Sequence, residues 1–256
     1  MPSLAQIGPE PIGARGWGMG NAMVALPQDQ SVFYNPAGVG FLDNNFASAS
    51  FHAPLDLPRL STAGLNTNIA LKPLNLGLGI ERFGDHLYNE SKIGITLAKK
   101  IDRIALGIKG SYFNASAQDV NSNSTVLMEF GVMAMLQSSL RIGFHAYNIT
   151  AAKLFLDQRI PTVLRGGFAF EPSEKITITG EVESIPSEFT FVKAGLEYQI
   201  ANFLALRTGI NSRVKSNHFG LGYMGKKWNL DYALHTHPSL GLSNHLTLKL
   251  DFDGQK

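Results

Sequence analysis

Apolar side chains recur at every second position along most of this chain, and that period leaves few folds open. Leu76, Leu78 and Ile80 alternate with Gly77, Gly79 and Glu81. Leu140, Ile142 and Phe144 alternate with Arg141, Gly143 and His145. Strict alternation marks a strand with two unlike faces. The same pattern recurs at 93–98, 104–109, 126–132, 176–183, 204–210, 228–235 and 246–252. Weaker runs at 46–53, 60–71, 162–170, 189–200 and 217–225 bring the total to fourteen candidate strands. No stretch reads as a long amphipathic helix, which argues against a βαβ enzyme fold.

Alternation alone does not say which face meets water. In a soluble sandwich the apolar face meets a core; in a membrane barrel it meets lipid and the polar face lines the lumen. Three observations favour the barrel. Only 16% of residues are charged and there are 26 glycines, and the polar faces are rich in Gly, Ala and Ser, as a crowded interior requires. Phe83, Phe168, Phe170, Trp228 and Phe252 fall at strand ends, where interfacial aromatics sit. The last strand ends on Leu246, Leu248, Leu250 and Phe252, like the assembly signal of outer-membrane barrels. An even number of strands of about ten residues suits such a barrel. The expected fold is therefore all-β: a transmembrane antiparallel β-barrel of about fourteen strands.

The remaining chemistry is sparse. A net charge of +2 with dispersed basic residues gives no nucleic-acid footprint. Cysteine is absent. Gly220, Gly222 and Gly225 match GxGxxG, but in a strand rather than before a helix, so a dinucleotide site is not expected. His235 and His237 lack a third ligand at metal spacing. Glu181 and Glu183 share one face, where pairing with Arg or Lys across the lumen is a better reading than glycoside chemistry. No GxSxG elbow is present. The chain reads as a non-enzyme without cofactor or metal.

The first 44 residues differ in texture. Ser3-Leu4-Ala5 has the form of a signal-peptidase site, so residues 1–5 are expected to be the remnant of an export signal whose start lies upstream. Residues 6–44 are punctuated by Gly and Pro and carry few charges. Residues 45–256 form the expected barrel. Within the N-terminal segment, Gly13-Ala-Arg15 is followed by Gly18-Met-Gly20, a small-residue stretch, Asp29, and Asn35-Pro36-Ala37-Gly38. This order closely resembles the N-terminal hatch of the FadL family of outer-membrane barrels. That family also contains PorV and PorQ of the Bacteroidota type IX secretion system. The resemblance implies that residues 6–44 fold inside the lumen and block it. Gly13, Arg15, Gly18, Gly20, Asp29, Asn35, Pro36 and Ala37 would then be the hatch motif. On the residues alone, Asn35-Pro36-Ala37 reads as a tight turn without direct chemistry.

Two functions stay open. A protein-binding barrel similar to PorV or PorQ would serve export or surface attachment through a partner of a secretion machinery. A FadL-like channel would instead move fatty acids or another hydrophobic ligand past the hatch and out through the wall. Short connections, the longest at 114–124, 149–160 and 211–217, leave little room for lipid capture, and the charges on the lumen face should pair with one another. Both favour the first. Leu127, Met133, Phe189, Phe191 and Phe203 fall on inward parity and form a candidate apolar strip for the second. Either way the expected surroundings are outer-membrane lipid.

Overall fold

The computed structural model describes residues 11–54, 57–118, 120–155, 158–186, 188–213, 215–237 and 241–252. The export site expected at 3–5 and the hatch residues 6–10 lie outside them. The wall is built from β1 (Phe46–Pro54), β2 (Thr62–Ala70), β3 (Asn75–Gly84), β4 (Tyr88–Ile101), β5 (Ile104–Ala117), β6 (Val120–Gln137) and β7 (Leu140–Tyr147). Two short strands, β8 (Lys153–Phe155) and β9 (Gln158–Arg159), form a separate ribbon. The wall continues with β10 (Val163–Ser173), β11 (Ile176–Ile185), β12 (Phe189–Ala201), β13 (Leu204–Asn211), β14 (Ser216–Met224), β15 (Trp228–His237) and β16 (Gly241–Asp251). Each wall strand pairs antiparallel with its neighbours, β7 pairs with β10, and β1 pairs with β16 from Phe46↔Asp251 to Pro54↔Ser243. The sheet is thus a closed barrel of fourteen strands, and closure leaves no unpaired edge for lipid to meet.

The alternation sets the two surfaces. On β13, Leu206, Thr208 and Ile210 face outward and are exposed, whereas Ala205, Arg207 and Gly209 face inward and are buried. On β7, Ile142 and Phe144 are each 43% exposed, while His145 is fully buried. Apolar side chains cover the outside around the wall and ionisable ones are buried within it. This inverts a soluble protein and is stable only with hydrocarbon outside.

Residues 11–44 run inside the barrel, nearly all buried. They contain three short helices: α1 (Ala14–Gly18), α2 (Ser31–Tyr34) and α3 (Pro36–Val39). Four residues or so is far below the length at which a helix holds itself together in isolation, so the wall must supply the order.

The rim where β1 begins and β16 ends is called here the terminal rim; the other is the distal rim. Three expectations need correction. Phe83 is not an outer aromatic: Leu76, Leu78 and Ile80 take the outward parity, which leaves Phe83 inward and 5% exposed beside Tyr88. Segment 114–124 is largely strand, because β5 and β6 extend together beyond the apolar belt, and 211–217 narrows to the turn 212–215. Segment 149–160 carries the β8–β9 ribbon, and its Leu154 and Ile160 form a cap on the wall.

Register is testable at β7. An Arg on the lipid face near the midplane costs about 2–4 kcal/mol. Ile142→Arg should therefore assemble poorly in refolding into vesicles, whereas Arg141→Gln, on the inward face beside Glu171, should assemble. Equal yields would refute the register.

Candidate functional site

The lumen is where the chain concentrates its charge. Three of the ionic groups that line it each draw on three strands. Glu129 on β6 pairs with Lys109 on β5 at 3.1 Å and with His145 on β7 at 3.0 Å. Glu181 and Glu183 on β11 bracket Lys193 on β12 at 2.8 and 2.7 Å, and Arg165 on β10 reaches Glu183 at 2.7 Å. Arg207 on β13 bridges Glu197 on β12 and Asp231 on β15, both at 2.5 Å. All but one of these pairs join neighbouring strands at opposed or diagonal positions, and Arg207 reaches Asp231 across the glycines of β14, so the register brings opposite charges together. The expected pairing of lumen charges is what the structure shows, including the reading of Glu181 and Glu183.

The N-terminal segment is fastened to these groups. The Arg15 guanidinium grips Glu197 with two hydrogen bonds, 2.7 and 3.0 Å long. The backbone N–H groups of Met23 and Val24 both donate to one oxygen of Glu181, at 3.0 and 2.9 Å. Ala14 N–H donates to Thr247 Oγ1 at 2.9 Å. Asp29 meets Lys249 at 3.1 Å, and Lys249 also holds Asp251 at 3.0 Å. Burial pushes the Asp29 carboxyl above its usual range, against the pull of Lys249.

Two close approaches explain wall glycines. A Cβ on Gly18 would lie 3.1 Å from Gly220 Cα, so α1 rests on the backbone of β14. Within the GxGxxG match, Gly220 thus serves contact with α1, while Gly222 leaves room for the Arg207 guanidinium. A Cβ on Gly131 of β6 would lie 2.0 Å from Asn35 Oδ1. Asn35 accepts from Ala37 N–H at 3.0 Å and so caps α3, with Pro36 at the first helical position. Its Nδ2 donates to Val24 O at 2.6 Å and points toward the wall carbonyls of Val132 and Phe144, at 3.4 and 3.3 Å. The turn expected at Asn35-Pro36-Ala37 is present, but Asn35 also ties the segment to the wall.

A ring stack around Trp17 has no counterpart among the sequence motifs. Its indole lies against His245 and His235, with centroids 4.2 and 4.5 Å away, and His52 and His218 flank it at 5.6 and 5.8 Å. Its Nε1–H donates to Pro11 O at 3.0 Å. The histidines come from β1, β14, β15 and β16, so only the closed barrel assembles them. The single local signal was inward parity on each strand.

The five residues of the candidate strip are not brought together. Leu127 is buried near the distal rim with Phe113, Tyr147 and Val163, and Leu154 and Ile160 of the cap pack on the same cluster. Met133 lies farther along β6 with Ala37, Ala105 and Phe41. Glu129 and Gly131 separate the two on the inward face. Phe191 is half-buried under the Arg213 guanidinium, 5.6 Å from its ring centre. Phe189 and Phe203 are 63% and 55% exposed. They lie at the strand ends of β12 and β13, where parity no longer means lumen because the wall stops.

The cap is held by Asn148, whose Nδ2 donates to Ile160 O at 2.8 Å and whose Oδ1 accepts from Ala152 N–H at 2.9 Å. A buried apolar cluster therefore lies under the cap at the distal rim.

With this geometry in view, solved structures supply a match. The barrel has a FadL-type fold. The Pseudomonas putida toluene transporter TodX superposes with a TM-score of 0.71 at 12% identity, over 94% of this chain and 96% of that one. The CymD monoaromatic hydrocarbon channel gives 0.70 at 11% identity, over 98% of this chain and 99% of that one. The sequence matches no protein-family model and no curated protein. The FadL-type fold thus agrees with the resemblance of residues 13–38, at an identity that speaks for architecture alone.

In this FadL-type barrel, seating of the N-terminal segment should depend unequally on its anchors. Glu181→Met strands two buried N–H groups, at about 1–3 kcal/mol each. It should expose residues 11–44 to protease while the barrel stays folded. Asp29→Asn removes a partly buried carboxylate whose raised pKa makes ionisation unfavourable to the folded state at neutral pH. That variant should keep the segment protected, since Lys249 retains Asp251. Equal protection in both variants would contradict the assignment of anchors.

Proposed function

We propose that this protein is a non-enzymatic outer-membrane channel that admits small hydrophobic molecules, with residues 6–44 as a hatch. The observation that carries the reading is the apolar cluster at the distal mouth, where Leu154 and Ile160 of the cap cover Phe113, Leu127, Tyr147 and Val163. A mouth of this kind strips water from an apolar solute before it meets the lumen, which is the usual character of a ligand site. The transport functions named for TodX and CymD support the same class of cargo. Below the mouth the Glu129 group interrupts the apolar surface, and Asn35 abuts Gly131 there. Passage therefore requires the hatch to leave the wall near α3, and the pairing of charges keeps the resting barrel closed to ions.

Protein export through a partner of a secretion machinery draws no support from TodX or CymD. Its reliance on short connections is weakened by the cap that carries Leu154 and Ile160 over the distal cluster. The outer membrane as location follows the fold and the lipid-facing belt.

Uptake of a labelled monoaromatic hydrocarbon tests the proposal, in cells whose outer membrane has no other route for it. The wild-type chain should confer uptake. Val163→Glu should lower it about tenfold, the equivalent of roughly 1.4 kcal/mol, because it buries a charge in the mouth. Absence of uptake by the wild type would overturn the proposal, as would a stoichiometric protein partner and no bound hydrophobe in native mass spectrometry.

A further inference from the structure

The lipid-facing surface is uneven, and one hollow in it carries a charge. Outward side chains on β1 include Ala47 and Ala49, whereas Leu65, Ile80, Leu248 and Leu250 stand on the flanking strands. The difference in size leaves a groove of about 370 Å³. A second hollow of about 460 Å³ shares Ala49, Leu65, Ile80 and Leu248. It continues past Ala63 toward the distal rim and ends at Arg82. The two are one channel along the outside of β1. From Phe51 to Ala47 it follows four strand steps, about 13 Å.

Arg82 is out of keeping with its neighbours. It holds the outward parity on β3 and is exposed, while Phe83 beside it turns inward. In cross-strand register it stands in a row with Leu246, Phe51 and Ala63 on one side and Ser91 and Asn114 on the other. The outer face changes from apolar to polar along that row, so Arg82 lies at the level where hydrocarbon gives way to head groups. Among the described residues no carboxylate pairs with it; the adjacent Glu81 is taken by Lys92 inside the wall at 3.0 Å. A guanidinium presents a planar fork that matches phosphate oxygens.

The opposite wall supplies a contrast. A groove of about 400 Å³ over β12 to β15 is lined by apolar side chains such as Leu196, Phe219 and Leu234. Arg207 borders it, but its side chain is buried and bonded to Glu197 and Asp231. Size and apolarity alone therefore do not distinguish the β1 groove. The outward cation at its end does.

We propose that the groove over β1 holds an anionic phospholipid of the surrounding leaflet, with its phosphate on Arg82 and one acyl chain along Ala49 and Ala47. The site is independent of the channel reading. It needs only the barrel wall, and it fixes one lipid at the seam where the barrel closes.

Quenching by brominated lipids tests it. The full chain carrying Leu65→Trp places a reporter in the groove, and Phe219→Trp places one in the uncharged groove, both with Trp228→Phe to remove the native outer tryptophan. Each is reconstituted in phosphatidylcholine vesicles containing a minor fraction of brominated phosphatidic acid or brominated phosphatidylcholine. The Leu65→Trp reporter should respond to brominated phosphatidic acid at about fivefold lower fraction than to brominated phosphatidylcholine, as one cation at an anionic head group implies. That preference should vanish with Arg82→Gln, persist in part with Arg82→Lys, and be absent at Phe219→Trp. Equal response of the Leu65→Trp reporter to both lipids would overturn the proposal. So would a preference that survives Arg82→Gln, or quenching by a brominated free fatty acid in place of the phospholipid.

Discussion

A wall of fourteen strands encloses more space than its own inward side chains can fill. That excess governs the rest of the structure. The space must hold either water or protein, and here residues 11–44 occupy it. Because the inside of the wall is polar, the segment is held by charge and hydrogen bonds rather than by a helix of its own. Arg15 on Glu197, the two N–H groups on Glu181 and Asn35 between α3 and the wall are the working contacts. Removing one partner of such a buried group is costly because the other is left unpaired.

The lumen and the membrane face answer to different solvents. Outside, hydrocarbon selects Leu, Ile, Val and Phe at every second position. Inside, little water remains, so charges stay in sets such as Lys109, Glu129 and His145. Small residues on the inward face mark where the segment touches backbone, as at Gly220 under Gly18 and Gly131 under Asn35. An interior organised in this way leaves one of its apolar clusters at the capped distal rim.

What the sequence made legible follows from the same division. All fourteen strands were visible because lipid enforces a two-residue period wherever it touches the wall. The outer ends of β5 and β6 were not, since above the lipid that pressure disappears and the outward face carries Asn114, Ser116, Ser122 and Ser124. The cap at 148–162 was read as a gap because its order comes from Asn148 and from packing on Val163 and Leu127, neither of which has a local period. Phe83 was assigned to the wrong face because an aromatic near a strand end resembles an interfacial residue until the parity of Ile80 and Arg82 is followed. The close approach of residues 13–38 to other backbone was legible in their glycines and Asn-Pro turn. The histidines around Trp17 were not, because they lie on four strands far apart in the chain.

The central claim is that residues 11–44 are what closes the barrel. Single-channel conductance in planar bilayers tests it most directly, comparing the full chain with one lacking residues 11–44 whose folding is verified by its heat-dependent shift in gel mobility. The account predicts a closed or barely conducting full chain and a folded deletion variant with a large, steady conductance. A folded deletion variant that conducts no better than the full chain would contradict it and show that the wall or the cap closes the lumen instead.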